Sequence, residues 1–230
     1  MRVVELVGLP GAGKSVLVEA MRTHPDAKDD SICTLEDKRR GTCFRSGFVL
    51  FSTALRNRWV RRSIMARVLA RSPSERVRLT KLLRLYGEVR LARGCPTRWL
   101  LLDQGVLQAT MAYGAVTGMW SKQRRWKRFI RGLASAGALD LAVCVVVPVE
   151  VALSRYVKRT SGGGNRAWSD EEPAAIRRRL QERARVLQVT RETWVEVGGH
   201  LVELDGTQPQ RQLTTTFRSL LLETPPQGAG

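Results

Sequence analysis

The sequence predicts an α/β fold in which helices cover both faces of a parallel sheet. Two observations carry this. Short apolar, β-branched runs alternate along the chain with segments of helical period. A glycine-rich turn joins the first apolar run to the first helical segment.

Each element follows from local pattern. Arg2 to Leu9 (RVVELVGL) reads as a strand buried on both faces, as parallel strands are. Ser15 to Thr23 is helical and stops near Pro25, and Ser31 to Leu35 is the second strand candidate. A basic insertion, about 53–95, then shows helical rather than strand periodicity. Leu55, Trp59, Met65 and Leu69 are expected on one helical face, and Leu79, Leu82, Leu83, Tyr86 and Val89 on a second. Ser72 and Glu75 form a capping box between them, with Pro73 at the first helical position. The insertion is therefore predicted as a helical hairpin beside the sheet, with arginines outside.

Trp99 to Leu102 is a short strand ending in Asp103, followed by a helix over Val106–Val116. Trp120 to Ala136 reads as one basic helix with Trp126, Phe129, Ile130 and Leu133 on its apolar side. Leu141 to Val147 is the clearest buried strand, and Val149 to Arg159 is helical. Ser161 to Asn165 is predicted as a flexible loop, within a lid of about 155–169. Ser169 and Glu172 read as a capping box that opens a helix to about Val195. His200 to Leu204 is the last strand and Pro209 to Leu222 the last helix. Residues 1–223 are expected to form one domain, and 224–230 a disordered tail.

At 230 residues the chain can bury a core without disulfides or metal staples. Cys33, Cys43, Cys95 and Cys144 are scattered, and only His24 and His200 accompany them, which argues against structural zinc. The longest apolar run, Leu141 to Val149, is far short of a bilayer span. The motif that starts at Gly8 leaves no room for a signal peptide before it. The expectation is a soluble, cytoplasmic protein.

Charge is concentrated. The net charge is +18, and Leu55 to Arg98 alone carries +11. Met119 to Arg131 adds six basic residues and no acid. Such stretches attract phosphorylated substrates, nucleic acid or anionic lipid. A solvated helical face in an arginine-rich chain is the other reading.

Gly8-Leu9-Pro10-Gly11-Ala12-Gly13-Lys14-Ser15 matches G-x-x-x-x-G-K-[ST] in full, between a strand and a helix. Its glycines let successive backbone N–H groups turn inward around a phosphate, and the following helix adds its positive end. Val16 belongs to the same turn. Lys14 is expected at the β- and γ-phosphates and the Ser15 hydroxyl on Mg²⁺. Asp103, at a neighbouring strand end, is a second Mg²⁺ or acceptor-orienting candidate, or an ordinary turn cap. Glu36 and Asp37 follow the second strand and can bind an acceptor hydroxyl, or pair with Lys38, Arg39 or Arg40. Arg155, Arg159 and Arg166 flank the Gly162–Gly164 run and suit charge developing on a transferred phosphoryl group. Arg155 and Arg159, four residues apart, share a helix face. Gln104 lies beside Asp103 as a further substrate contact.

These motifs resemble the P-loop kinases of the nucleoside-monophosphate and thymidylate kinase group. Leu141–Arg159 (LAVCVVVPVEVALSRYVKR) is similar to the strand, turn and arginine-bearing helix that lead into that family's lid. His200–Pro209 (HLVELDGTQP) is similar to its last strand and the loop near the adenine. The resemblance implies a three-layer fold with a five-stranded parallel sheet. It implies ATP with Mg²⁺ as donor, a small-molecule acceptor and often a homodimer. Lys14 and Ser15 match the phosphate and magnesium positions, Asp103 the acidic strand-end residue, and Arg155 and Arg159 the lid arginines.

The departures are specific. Asp103-Gln104-Gly105 stands where the family typically has Asp-Arg, the lid lacks an acid-rich stretch, and the hairpin is more basic. The acceptor is thus open among nucleotides, sugars and other metabolites. The alternative reading is a P-loop NTPase whose basic helices bind nucleic acid or an anionic membrane. In it, Trp59, Trp99, Trp120 and Trp126 would be available to stack on bases.

Overall fold

The computed structural model describes residues 1–23, 32–34, 57–70, 72–93, 98–160 and 172–223. Five strands form one sheet: β1 (Arg2–Gly8), β2 (Ile32–Thr34), β3 (Trp99–Leu102), β4 (Leu141–Val146) and β5 (Leu201–Asp205). Their order is β2-β3-β1-β4-β5, and every pairing is parallel. The predicted strands and their parallel arrangement are all present. β1 lies in the middle, and Val3, Val4, Leu6 and Val7 have no exposed surface. Its flanking strands are β3 and β4, so the chain crosses in opposite directions on either side of β1. In open α/β sheets the carboxyl ends at such a reversal form a crevice.

Among the described residues the helices are α1 (Lys14–Thr23), α2 (Arg58–Val68), α3 (Pro73–Ala92), α4 (Val106–Thr117), α5 (Gln123–Ser135), α6 (Val149–Thr160), α7 (Pro173–Glu196) and α8 (Gln210–Glu223). α1 packs on α8 in one layer, while α4, α7 and their neighbours form the other. No helix among the described residues is long and apolar enough to cross a membrane.

The hairpin helices are docked by aromatic side chains. Trp59 of α2 meets Tyr86 of α3 and Phe129 of α5, with ring centroids 5.6 and 5.5 Å apart. Gly132 of α5 makes room, because a Cβ there would lie 2.3 Å from Trp59 Cδ1. The Tyr86 hydroxyl donates to the Ala136 carbonyl at 3.1 Å. The Ser72 cap forms as expected, its hydroxyl accepting from the Glu75 N–H at 3.2 Å.

Four expectations need correction. α2 starts after Asn57, whose side chain accepts from the Trp59 and Val60 N–H groups. That start directs Trp59, Val60 and Ser63 inward and leaves Met65 and Leu69 53% and 72% exposed. The expected basic helix from Trp120 is split: Gly118 takes a left-handed conformation at φ 62°, a single 3₁₀ turn covers Met119–Ser121, and α5 begins at Gln123. α7 begins at Pro173 rather than at a Ser169 cap. The residue before a proline is pushed to extended geometry, and Glu172 has ψ 144°. Finally, Trp59, Trp99 and Trp126 are buried, so they present no face on which a base can stack.

Candidate active site

The loop between β1 and α1 sits at the carboxyl edge of the sheet. Gly11 has φ 86°, and a Cβ there would come within 2.5 Å of the Ala152 carbonyl oxygen on α6. Only glycine fits this turn against that helix. The Ala12 N–H donates to the Leu9 carbonyl at 3.1 Å, and Val16 and Leu17 begin the helical ladder on Gly13. Pro10 lies at the surface of the loop and Ala12 is fully buried beneath it.

Lys14 curls over the same turn. Its ammonium donates to the carbonyls of Gly8 at 3.1 Å and Leu9 at 2.9 Å. Burial pushes its pKa from 10.5 down to about 8. The Asp103 carboxylate opposes this drop, whereas the Arg183 and Arg159 charges deepen it.

The Ser15 hydroxyl donates to Asp103 Oδ2 at 2.6 Å. Asp103 Oδ1 is buried and has no hydrogen-bond partner. A buried carboxylate oxygen normally has one, so this atom is short of a cation or a donor. A hydroxyl and a carboxylate side by side are hard oxygen ligands that suit Mg²⁺, which keeps several waters of its own. The two residues fit that ion.

Behind this pair lies a residue the sequence reading missed. Glu5, in the middle of β1, has no exposed surface. Its carboxylate accepts from the Leu107 N–H at 2.8 Å and the Gln108 N–H at 2.7 Å. It thereby caps the N-terminus of α4, whose N-cap position is Gly105 with no side chain. A Cβ on Gly105 would fall 2.5 Å from Glu5 Cδ. Burial pushes the Glu5 carboxyl up to about 7, against the pull of the helix N–H groups. Gln108 Oε1 in turn accepts from the Gly8 N–H at 3.4 Å. The signal for Glu5 was visible: it is an acid in the middle of the apolar run Val3–Val7.

A cavity of about 250 Å³ opens beside the P-loop, between α3, α4 and α7. Gly8, Leu9, Pro10 and Lys14 form one wall, and Gln104, Gly105 and Gln108 another. Arg78, Lys81 and Arg183 complete it. Nothing in the sequence separates these three from the many other basic residues of the helices. Lys81 and Gln104 also line a second cleft that holds Ser15, Thr34 and Asp103.

The Arg155 guanidinium donates to the Gly206 carbonyl at 2.9 Å, at the loop after β5. A Cβ on Gly206 would lie 3.1 Å from the Ala12 carbonyl oxygen, so that loop abuts the P-loop. Glu36, Asp37, Arg166 and the lid loop lie outside the described residues.

No protein-family model matches the sequence, and no curated protein does. Solved structures do match. The structure of deoxyadenosine kinase from M. mycoides with dCMP and dCDP has a TM-score of 0.54 at 11% identity. It covers 96% of this chain and 98% of that one. The same enzyme with dATP bound gives 0.51 at 13% identity, over 96% and 100% of the two chains. The chain has the fold of that enzyme. Its five-stranded parallel sheet and the P-loop at the carboxyl edge of the central strand agree with that likeness. The likeness spans nearly the whole chain.

Proposed function

We propose that this protein is a kinase that transfers the γ-phosphoryl group of ATP to a small-molecule acceptor in the cavity beside the P-loop. The observation that carries the reading is the Ser15–Asp103 hydrogen bond. It joins the start of the P-loop helix to the end of β3, next to a cavity that Lys14 also lines.

The chain's own groups define the steps. Backbone N–H groups of Gly11 to Ser15 and the positive end of α1 receive the donor phosphates. Lys14 gives up its loop carbonyls for the β- and γ-phosphates. Ser15 and Asp103 would hold Mg²⁺, which supplies charge neutralisation on the phosphate oxygens. The acceptor oxygen attacks the γ-phosphorus as the bond to the bridging oxygen breaks, leaving ADP. Arg159, one turn beyond Arg155 on α6, would add positive charge where the transferred group passes. Arg155, held on Gly206, places the α6 helix against the loop after β5 and belongs to the donor side.

The test is ADP release from ATP and Mg²⁺, with nucleosides, nucleoside monophosphates, sugars, short DNA and RNA added singly. Release that depends on one small molecule supports the kinase. Release driven by nucleic acid, or independent of any acceptor, overturns it. Lys14→Ala removes the release in either case.

A further inference from the structure

We propose that the end of the α2–α3 hairpin docks on an anionic lipid bilayer, its apolar side chains entering the acyl boundary while the basic residues behind them meet the lipid phosphates. The surface is separate from the P-loop and does not depend on the kinase reading above.

Among the described residues seven large apolar side chains stand exposed, and four of them, Met65, Val68, Leu69 and Val77, lie where α2 ends and α3 begins. A single exposed apolar residue is ordinary on a protein surface, whereas a group of them marks a contact. Met65, Val68 and Leu69 share one face at the end of α2 by their spacing. Arg67 ties this end together, its Nε donating to Thr80 Oγ1 of α3 at 2.7 Å.

Charge stands behind the apolar end. Arg61 and Arg62 are exposed on the same face of α2, one to two turns earlier. By helix rise they lie about 5–12 Å behind Met65 and Leu69. That matches the depth of about 5–10 Å at which an interfacial helix seats its apolar face below the headgroups. On α3, Lys81 and Arg84 follow Val77 and are exposed too.

The two acids of these helices turn away. Glu75 accepts from the Tyr113 hydroxyl of α4 at 3.4 Å, and the buried Glu88 pairs with Arg84 at 2.8 Å. The Tyr113 contact also sets the end of α4 beside the start of α3. Trp126 of α5 packs on Gly114 of α4, so α5 starts at that same end. Exposed Lys122, Arg124 and Arg125 thereby join the hairpin's charge from a distant segment.

This layering selects the occupant. A bilayer takes apolar side chains and cations at two depths, and anionic headgroups hold the cations. Nucleic acid would present phosphates to Met65, Val68 and Leu69, while Trp59, Trp99 and Trp126 are buried away from any base. A second copy on a two-fold axis through this face would bring Arg61 and Arg62 against like charges.

The experiment is flotation of the full chain with vesicles of phosphatidylcholine alone, and of phosphatidylcholine and phosphatidylglycerol in equal parts. The expected result is partition onto the anionic vesicles that is about tenfold or more tighter and weakens as salt rises. Met65→Ser combined with Leu69→Ser is expected to reduce that partition severalfold, as is Arg61→Gln combined with Arg62→Gln. These side chains are exposed, so thermal unfolding stays unchanged in both variants. Leu222→Ser, exposed on α8, is expected to change nothing. Equal partition onto both vesicles, or none, overturns the proposal. So does anionic binding that the Met65 and Leu69 variant leaves intact, because charge alone would then explain it. A short DNA duplex bound more tightly than the anionic vesicles gives the face to nucleic acid. A dimer in sedimentation velocity that Leu69→Ser dissolves gives it to a second copy, and either result overturns the proposal.

Discussion

Ser15 and Asp103 are 88 positions apart in the chain, yet their side-chain oxygens lie 2.6 Å from each other. The contact exists because β1 and β3 are adjacent and parallel, so their carboxyl ends emerge side by side. Glu5 opposite Leu102 is the last register pair before the two loops diverge.

Because the pair shares one role, Asp103→Asn is expected to reduce turnover by about 100-fold or more, with ATP affinity changed only a few-fold. Ser15→Ala acts on the same ion, so the double variant falls well short of the product of the two losses. Chelating Mg²⁺ abolishes turnover in all of them. Steady-state kinetics across a Mg²⁺ titration checks this, and a pure affinity effect would make Asp103 a structural cap.

The lowered pKa of Lys14 makes nucleotide binding pH-dependent. Lys14 loses its charge as pH rises through about 8. ATP affinity is therefore expected to fall by about tenfold between about pH 7 and about pH 9.5, with proton uptake on binding. Titration calorimetry in buffers of different ionisation enthalpy measures both.

Glu5 makes stability depend on pH. The folded protein holds its proton more tightly than the unfolded chain, so ionising it costs stability. From Glu5 alone, stability falls as pH rises from about 4.5 to about 7 and then levels off. The size is about 3 kcal/mol from the displacement of its pKa. Glu5→Gln flattens that dependence and loses one of the two acceptors at the start of α4. Urea midpoints at several pH values for both proteins give the comparison.

The packing of α4 on α5 depends on Gly114. A Cβ there would lie 2.6 Å from Trp126 Cη2, and Trp126 is fully buried. Gly114→Ala is expected to destabilise by about 1–3 kcal/mol through overpacking, measured by thermal or urea unfolding. Gly118→Ala tests another effect, since Gly118 has open space but a left-handed φ of 62°. Its cost is backbone strain, about 1 kcal/mol.

Much of the sheet and the P-loop was legible in the sequence. Five apolar runs correspond to the five strands, and Gly8 to Ser15 has one chemical reading in that setting. The stripe on α3 was also legible, because Leu79, Leu82, Leu83, Tyr86 and Val89 keep helical spacing and are all buried. Helix α2 was not. Its start depends on the Asn57 cap, and a shift of a few residues rotates Met65 and Leu69 into solvent. The start of α7 turned on Pro173, whose effect on Glu172 outweighed a Ser–Glu spacing.

By itself, then, the sequence determined what repeats locally: strand and helix periods, caps and a phosphate-binding turn. Those depend on residues within a few positions of one another, which pattern can report. Only the tertiary structure decided which basic residues line the cavity. Arg78 and Lys81 of α3 and Arg183 of α7 resemble every other basic residue of their helices until the helices close around one cavity. The same holds for Glu5, whose partners at Leu107 and Gln108 are set by strand order and not by spacing. Strand order and helix docking arise from packing between distant segments, and that packing brought Ser15 to Asp103.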